Sequence, residues 1–314
     1  MRIQRYNKAL VTGGAGFIGS HLTQRLLNDG WRVTVIDDLS EGTWGNLPRH
    51  KNLIKRKRSI LDNVSSLVKG TDVIFHLAAL PRLQRSVDDP RQTHKVNVDG
   101  TLNLLFAAKK YNVKRFVFAS TSSVYGNKNK TPFVETMAPD PLVPYSLQKL
   151  TAEGYCQLFS RLWGLSTIVL RYFSVYGPCM NPHSPYALLI PKFMNLMSQG
   201  KTPVINGDGR QTRDFTYVDD VVEATILAAN SSLSGEIINI GAGCTTSVNE
   251  VVRLLNTLLD KHIQPDHGPA KIEPRSTLAG NAKAKKLLGW KPKISFEQGL
   301  QLTAKTALQS TNNR

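Results

Sequence analysis

Tyr145 and Lys149 stand four residues apart in Pro144-Tyr145-Ser146-Leu147-Gln148-Lys149, a segment that reads as the start of a helix. That spacing puts both side chains on one helical face. A tyrosine titrating near 10 is a poor base at neutral pH. An ammonium beside it lowers that value by about one to three units, which readies the phenol to exchange a proton with a substrate hydroxyl. Taken alone the pair is not diagnostic, because i,i+4 pairs of this kind also decorate solvent faces.

A second cluster supplies context. Thr12-Gly13-Gly14-Ala15-Gly16-Phe17-Ile18-Gly19-Ser20 follows an apolar run and precedes a helical pattern. Gly13, Gly16 and Gly19 suit, in turn, a tight turn, close backbone approach to a pyrophosphate, and close helix–sheet packing. The helix N-terminus behind them offers free N–H groups to phosphates. Eighteen residues past Gly19, Asp37 ends a β-rich run and is placed to accept both hydroxyls of an adenosine ribose. Its charge would repel a 2′-phosphate, so the expected cofactor is NAD rather than NADP. The positive nicotinamide ring would then add to the effect of Lys149 on Tyr145.

These groups need a scaffold, and the first half of the chain spells one out. Short β-rich runs at 9–12, 32–36, 52–56, 72–77, 116–119 and 166–171 alternate with helical patterns at 20–28, 97–110 and 149–162. Runs that are apolar almost throughout belong to strands buried on both faces. The expected fold is therefore α/β, a Rossmann doubly wound parallel sheet with a smaller, interleaved C-terminal substrate-binding lobe. Residues 1–178 are expected to form the cofactor domain, completed by about 213–245. The lobe takes 179–212 and 246–314. Pro and Gly punctuate 177–209, and Ser247-Val248-Asn249-Glu250 is a capping box ahead of a further helix.

Composition narrows the classes. Among 314 residues, no apolar run approaches the roughly twenty needed to span a membrane, and the polar opening does not resemble a secretory leader. Cys156, Cys179 and Cys244 lack metal-ligand spacing, so no metal is expected and a reducing cytoplasm fits best. The formal charge of +17 admits nucleic-acid binding. No aromatic-interleaved basic stripe accompanies it, so the expectation is a solvated basic surface that also draws in anionic small substrates.

Together these segments resemble the extended short-chain dehydrogenase/reductase family, and within it the nucleotide-sugar epimerases and dehydratases. The resemblance rests on Thr12–Ser20, His76–Ala79, Asn97–Thr101, Ser120–Gly126, Tyr145–Lys149, Leu170–Pro178, Arg213–Asp219 and Leu287–Pro292, which run through the chain in family order. It implies that Tyr145 is the acid/base on the sugar hydroxyl, that Lys149 binds the nicotinamide ribose, and that Thr121 hydrogen-bonds the sugar O4. It implies cofactor contacts from Gly13, Gly16, Phe17, Ile18, Gly19, Asp37, Asp38, Ser59, Ile60, Leu77, Ala78, Ala79, Asn97 and Phe173, besides Tyr145 and Lys149. Sugar and diphosphate contacts would come from Thr121, Ser122, Tyr145, Ser174, Arg213, Arg275 and Thr277, the two arginines clamping the diphosphate. A homodimer through the helices near 97–110 and 149–162 is also implied. The chain departs from the family at Ser59 and Gly280, where aspartates are usual, at Ser174, where asparagine is usual, and in a shortened segment after Arg275.

Ser122 and Ser123 separate the possible reactions. Dehydrating relatives carry Asp-Glu there, and two hydroxyls cannot serve as acid and base at neutral pH. The reading is thus an NAD-dependent UDP-sugar 4-epimerase working through a transient 4-keto sugar. The alternatives are a dehydratase or reductase of the same family, or a non-catalytic NAD- or RNA-binding protein. In plain-hexose epimerases a bulky aromatic aligned with Thr277 crowds the sugar's C2 side. A threonine would leave room for an acetamido group.

Overall fold

The computed structural model describes residues 6–182, 184, 187–270 and 274–312. Its centre is a parallel sheet of seven strands: β1 (Lys8–Thr12), β2 (Arg32–Asp37), β3 (Leu53–Lys57), β4 (Val73–His76), β5 (Arg115–Thr121), β6 (Thr167–Tyr172) and β7 (Glu236–Ile240). They lie in the order β7-β6-β5-β4-β1-β2-β3. The order reverses beside β1, where chain connections leave to opposite sides and open a crevice at the carboxyl ends of the strands. Central strands are buried throughout, as their Val/Ile/Phe content requires. The edge strand β3 differs, with Lys55, Arg56 and Lys57 along it. Cations on an edge discourage pairing with another chain, which accounts for this basic run without a nucleic acid.

Five helices position the site. Helix α1 (Phe17–Asn28) starts directly after Gly16, and its N-cap has no side-chain partner. Helix α2 (Leu83–Asp88) is short. A wider π turn over Lys95–Asp99 leads into α3 (Gly100–Lys110), so the pattern beginning at Asn97 is helical with a bulged first turn. Helix α4 (Pro144–Trp163) begins at Pro144, as its sequence suggested, because proline fits the first turn, where a missing N–H costs nothing. It stops at Gly164 in the left-handed conformation. Helix α5 (Leu189–Ser198) belongs to the C-terminal half of the chain.

In that half, α6 (Val218–Asn230) packs on α1 and the sheet, and α7 (Val248–Leu259) packs on α5. Ser247 caps α7 by accepting from the Glu250 N–H at 3.1 Å. One apolar cluster runs from Val11 and Phe75 in the sheet through Met194 and Met197 of α5 to Val251 and Leu255 of α7. A second, on the opposite sheet face, joins Leu10 and Ile74 to Leu104, Ala152 and Phe159. No helix among the described residues is long and apolar enough to cross a membrane.

Candidate active site

A cleft of about 470 Å³ opens at the switch point. Its wall includes Gly13, Gly16, Phe17, Ile18, Gly19, Asp37, Asp38, Ile60, Leu77, Ala78, Ala79, Thr121, Ser122, Tyr145, Lys149, Ser174, Arg213 and Thr277. Ser59, Asn97, Phe173 and Arg275 lie outside that wall, each for an identifiable reason. Ser59 is used locally, its hydroxyl accepting from the Leu61 N–H at 3.2 Å. Asn97 is buried and grips the loop instead: its Oδ1 accepts from the Leu80 N–H at 2.9 Å and its Nδ2 donates to the Leu80 carbonyl at 3.2 Å. Those two bonds tie Asn97 to the loop that follows β4. Phe173 is fully buried against Tyr125 and Phe133. Arg275 points outward, 74% exposed and paired with Asp208 at 3.1 Å.

The glycine loop is shaped for a phosphate. A Cβ on Gly13 would come within 2.7 Å of the Ala78 nitrogen, and one on Gly19 within 2.1 Å of the Gly13 carbonyl oxygen. Both are backbone atoms that cannot step aside, so the chain has given up side chains here to bring main-chain N–H groups close to whatever enters. At the far end the buried Asp37 accepts from the Ala15 N–H at 2.9 Å and the Leu39 N–H at 2.8 Å. Burial holds its pKa above the usual carboxylate value. A glycine cradle ending at a fixed, acceptor-rich carboxylate fits a dinucleotide with a free ribose diol. Arg58 also lines this end.

Behind the loop, hydroxyls fix one histidine tautomer. Thr101 Oγ1 donates to the Asn97 carbonyl at 2.7 Å, so the contact of 2.9 Å with His76 Nε2 needs that nitrogen as donor. His76 Nδ1 then accepts from Thr12 Oγ1 at 2.7 Å, and Thr12 accepts from the Ala78 N–H at 3.2 Å. A neutral imidazole satisfies every partner, in keeping with a pKa driven well below the usual value by burial and by the charge of Lys149. The chain of bonds holds Ala78 against Gly13.

The reacting groups converge from α4 and β5. Lys149 Nζ donates to the Ala119 carbonyl at 2.8 Å and lies 4.5 Å from the centre of the Phe118 ring. Burial lowers its pKa to about 8. Burial pushes Tyr145 the other way, up to about 12, and the charge opposing that rise is the Arg82 guanidinium. Desolvation dominates the phenol here, and the Lys149 ammonium keeps its charge while donating to the Ala119 carbonyl. Thr121 sits in a hydroxyl chain, accepting from the Ser123 N–H at 3.1 Å and donating to Ser123 Oγ at 3.1 Å. Ser146 joins at 3.0 Å.

The sugar side is built from the C-terminal segments. Asp214 gathers them, accepting from the N–H groups of Ala242 (2.6 Å), Gly243 (3.0 Å) and Ala279 (2.9 Å). Its neighbour Arg213 lines the cleft. Thr277 is 6% exposed and faces the cleft rather than solvent, its Oγ1 accepting from the Asp214 N–H at 3.3 Å. The shortened segment runs against Phe133, whose carbonyl accepts from the Gly280 N–H at 2.8 Å. A Cβ on Gly280 would lie 3.0 Å from that carbonyl and 2.8 Å from Val134, which explains why an aspartate has no room there.

Sequence reasoning missed Arg82. Its φ is +93° and ψ is 127°, a conformation close to glycine-only space that costs about 1–3 kcal/mol for other residues. It lines the cleft, and its buried Nε has no hydrogen-bond partner among the described residues. Only the isolated positive charge in Leu80-Pro81-Arg82-Leu83 could have drawn attention to it.

Comparison with known proteins agrees with this arrangement. The NAD dependent epimerase/dehydratase family matches residues 9–241. A UDP-glucose 4-epimerase of Mycolicibacterium smegmatis is 36% identical over 94% of this chain and 97% of its own. The solved UDP-N-acetylglucosamine 4-epimerase of Methanobrevibacter ruminantium, in complex with UDP-N-acetylmuramic acid, superposes with a TM-score of 0.94 at 36% identity, covering 98% of this chain and 100% of that one. The UDP-glucuronic acid 4-epimerase of Bacillus cereus, solved with UDP-glucuronic acid and NAD, gives 0.91 at 35% identity over 96% and 99%. With the glycine loop, Asp37 and the Tyr145–Lys149 pair in one cleft, the chain belongs to the NAD-dependent epimerase/dehydratase family and is an NAD-dependent enzyme.

Proposed function

We propose that the protein is an isomerase that interconverts the C4 epimers of a UDP-linked hexose or N-acetylhexosamine through a transient 4-keto sugar. The observation that carries this reading is the convergence of Tyr145, Lys149 and Thr121 on the cleft that also holds the glycine loop. NAD, when bound, supplies the hydride acceptor and gives the same hydride back, so no net oxidant is consumed. Tyr145 takes the proton of the sugar's 4-hydroxyl and returns it. Thr121 holds that oxygen in place through the hydroxyl chain with Ser123 and Ser146. Lys149, anchored on Ala119, presents its ammonium to the ribose beside Tyr145. Arg213 meets the diphosphate as a fixed, permanently charged fork. Neutral Ser122 and Ser123 in the cleft wall disfavour a dehydratase, which needs a further acid and base there.

The assembly we favour is a homodimer through α3 and α4. Phe106, Leu147, Leu158, Leu162 and Trp163 are exposed on these two helices, and Phe106 meets Phe159 edge-on and Trp163 at a tilt. An exposed apolar patch of this kind is a usual association surface. The cytoplasm suits three free cysteines, Cys156, Cys179 and Cys244.

The decisive assay offers UDP-glucose and UDP-N-acetylglucosamine to the purified protein without added reductant. Tyr145→Phe should lower turnover by about a hundredfold or more while NAD binding and folding stay intact. Near-wild-type turnover in that variant removes Tyr145 as the base. Net release of water or carbon dioxide would replace the epimerase reading altogether.

A further inference from the structure

We infer that Glu41 and Arg85 are cofactor-retaining residues: their ion pair joins the two walls of the crevice above the glycine loop and slows the release of NAD. Sheet order places the pair there. Strands β4 and β2 flank β1, whose carboxyl end runs into the glycine turn. Glu41 stands in the loop after β2, and Arg85 stands in α2, on the connection that follows β4. A contact between them crosses the carboxyl end of β1, where a doubly wound sheet takes its dinucleotide. That contact is direct, Arg85 Nη1 donating to Glu41 Oε1. The two side chains are only 25% and 27% exposed, so solvent screens the pair less than it would a pair on the open surface. Glu41 itself lines the cleft, as do Arg82 and Leu83 where α2 begins.

Each wall is anchored separately, which leaves the pair as a tie between them. The loop after β2 is seated on the glycine turn. The Thr43 N–H donates to the Ala15 carbonyl at 3.1 Å, and Asn46 Nδ2 donates to the same oxygen at 2.9 Å. A Cβ on Gly42 would lie 2.6 Å from the Ala15 backbone, so the seat is close. On the other wall, Ser86 of α2 accepts from the Tyr145 N–H at 3.0 Å. The pair thus links the loop resting on the cofactor turn to the helix that touches the reacting residue. Charge alone gives no reason for a glutamate here. A carboxylate beside a diphosphate site repels it, and the Arg85 guanidinium offsets that cost only by forming the bridge. Arg82, the other cation acting on Glu41, stays in every variant below. The inference rests on NAD occupying the cleft and not on which sugar reaction follows, so it is read without a sugar.

The test loads the purified enzyme with radiolabelled NAD, chases with excess unlabelled NAD, and follows release by rapid gel filtration. It compares wild type, Glu41→Gln, Arg85→Gln, the double variant, and the exchanged pair Glu41→Arg with Arg85→Glu. Either single variant should release NAD about fivefold faster, the scale of one lost, partly shielded ion pair. The double variant should release no faster than the singles, because a bridge can be lost only once. The exchanged pair should return to within about twofold of wild type. Separate action of the two charges on the cofactor predicts the opposite sign for Glu41→Gln, since removing a negative group beside the diphosphate would slow release. Slower release from that variant, unchanged release from both singles, or single effects that multiply in the double variant would each overturn the inference. Melting of the NAD-free variants separates retention from folding. If a single variant melts low, the exchanged pair decides: release as fast as in the singles overturns the bridge, and restored retention supports it.

Discussion

The two ends of the cleft are made by different means. The cofactor end is mostly backbone: a turn kept bare by Gly13, Gly16 and Gly19, the start of α1, and Asp37 pinned by two peptide N–H groups. The sugar end is mostly side chain. Arg213, Ser174, Thr277 and Arg82 line the cleft from segments distant in sequence, and the buried Asp214 ties the segments at 242–243 and 277–279 together. A backbone-built site tolerates little change, because main-chain atoms cannot be swapped one at a time. A side-chain-built site can be re-cut by single substitutions while the framework stands. The difference suggests one scaffold with a fixed cofactor and an adjustable sugar pocket.

The comparison can be broken most forcefully at Gly19. Gly19→Ala places a Cβ 2.1 Å from the Gly13 carbonyl, so the turn must deform. Overpacking against backbone lies at or beyond the upper end of roughly 1–3 kcal/mol, enough to weaken NAD by about a hundredfold in a fluorescence titration. Unchanged NAD affinity would mean that the turn yields easily and that the cofactor end is not backbone-locked.

Thr277→Tyr probes the opposite end. Under the proposed function, an inserted ring should abolish turnover of UDP-N-acetylglucosamine and UDP-N-acetylgalactosamine while sparing UDP-glucose and UDP-galactose. Steric exclusion easily outweighs the roughly 1–3 kcal/mol gained per matched apolar group. Should wild type accept only the plain hexoses, or the variant treat both classes alike, Thr277 is not the gate.

The smallest effect is expected at Asp37, where one charge is altered and the loop stays. Asp37→Asn should weaken NAD by about tenfold, consistent with one charged hydrogen bond, and narrow the gap to NADP. Arg58 at the same end would assist the added phosphate. A wild-type preference for NADP in the same titration would show that the carboxylate does not read the ribose.

How much of this was legible in the sequence follows from range. The glycine loop, the strand before it and the helix after it are contiguous, and local sterics decide them. The same holds for Tyr145 and Lys149, brought to one face by helical spacing alone. The capping of α7 by Ser247 was legible for that reason too. The hydrogen bonds of Asn97 to Leu80 and Gln148 were not, since they exist only after the π turn packs against the loop and α4. Phe173, which the resemblance placed at the cofactor, packs inward against the rings of Tyr125 and Phe133, contacts that form only once distant segments meet.

What the sequence by itself determined is the parallel α/β sheet, the bare glycine turn, the carboxylate of Asp37 at the end of β2 and the spacing of Tyr145 and Lys149. Each is written in periodicity, in glycine's missing side chain, or in a charge at a strand end. Only the tertiary structure decided the electrostatics of Tyr145. Whether a phenol titrates low or high depends on how deeply it is buried and on which charges the fold brings near it. Lys149 comes from the same helix, and Arg82 from a separate loop. Burial and charge are sums over neighbours distant in the chain, and no local pattern carries them.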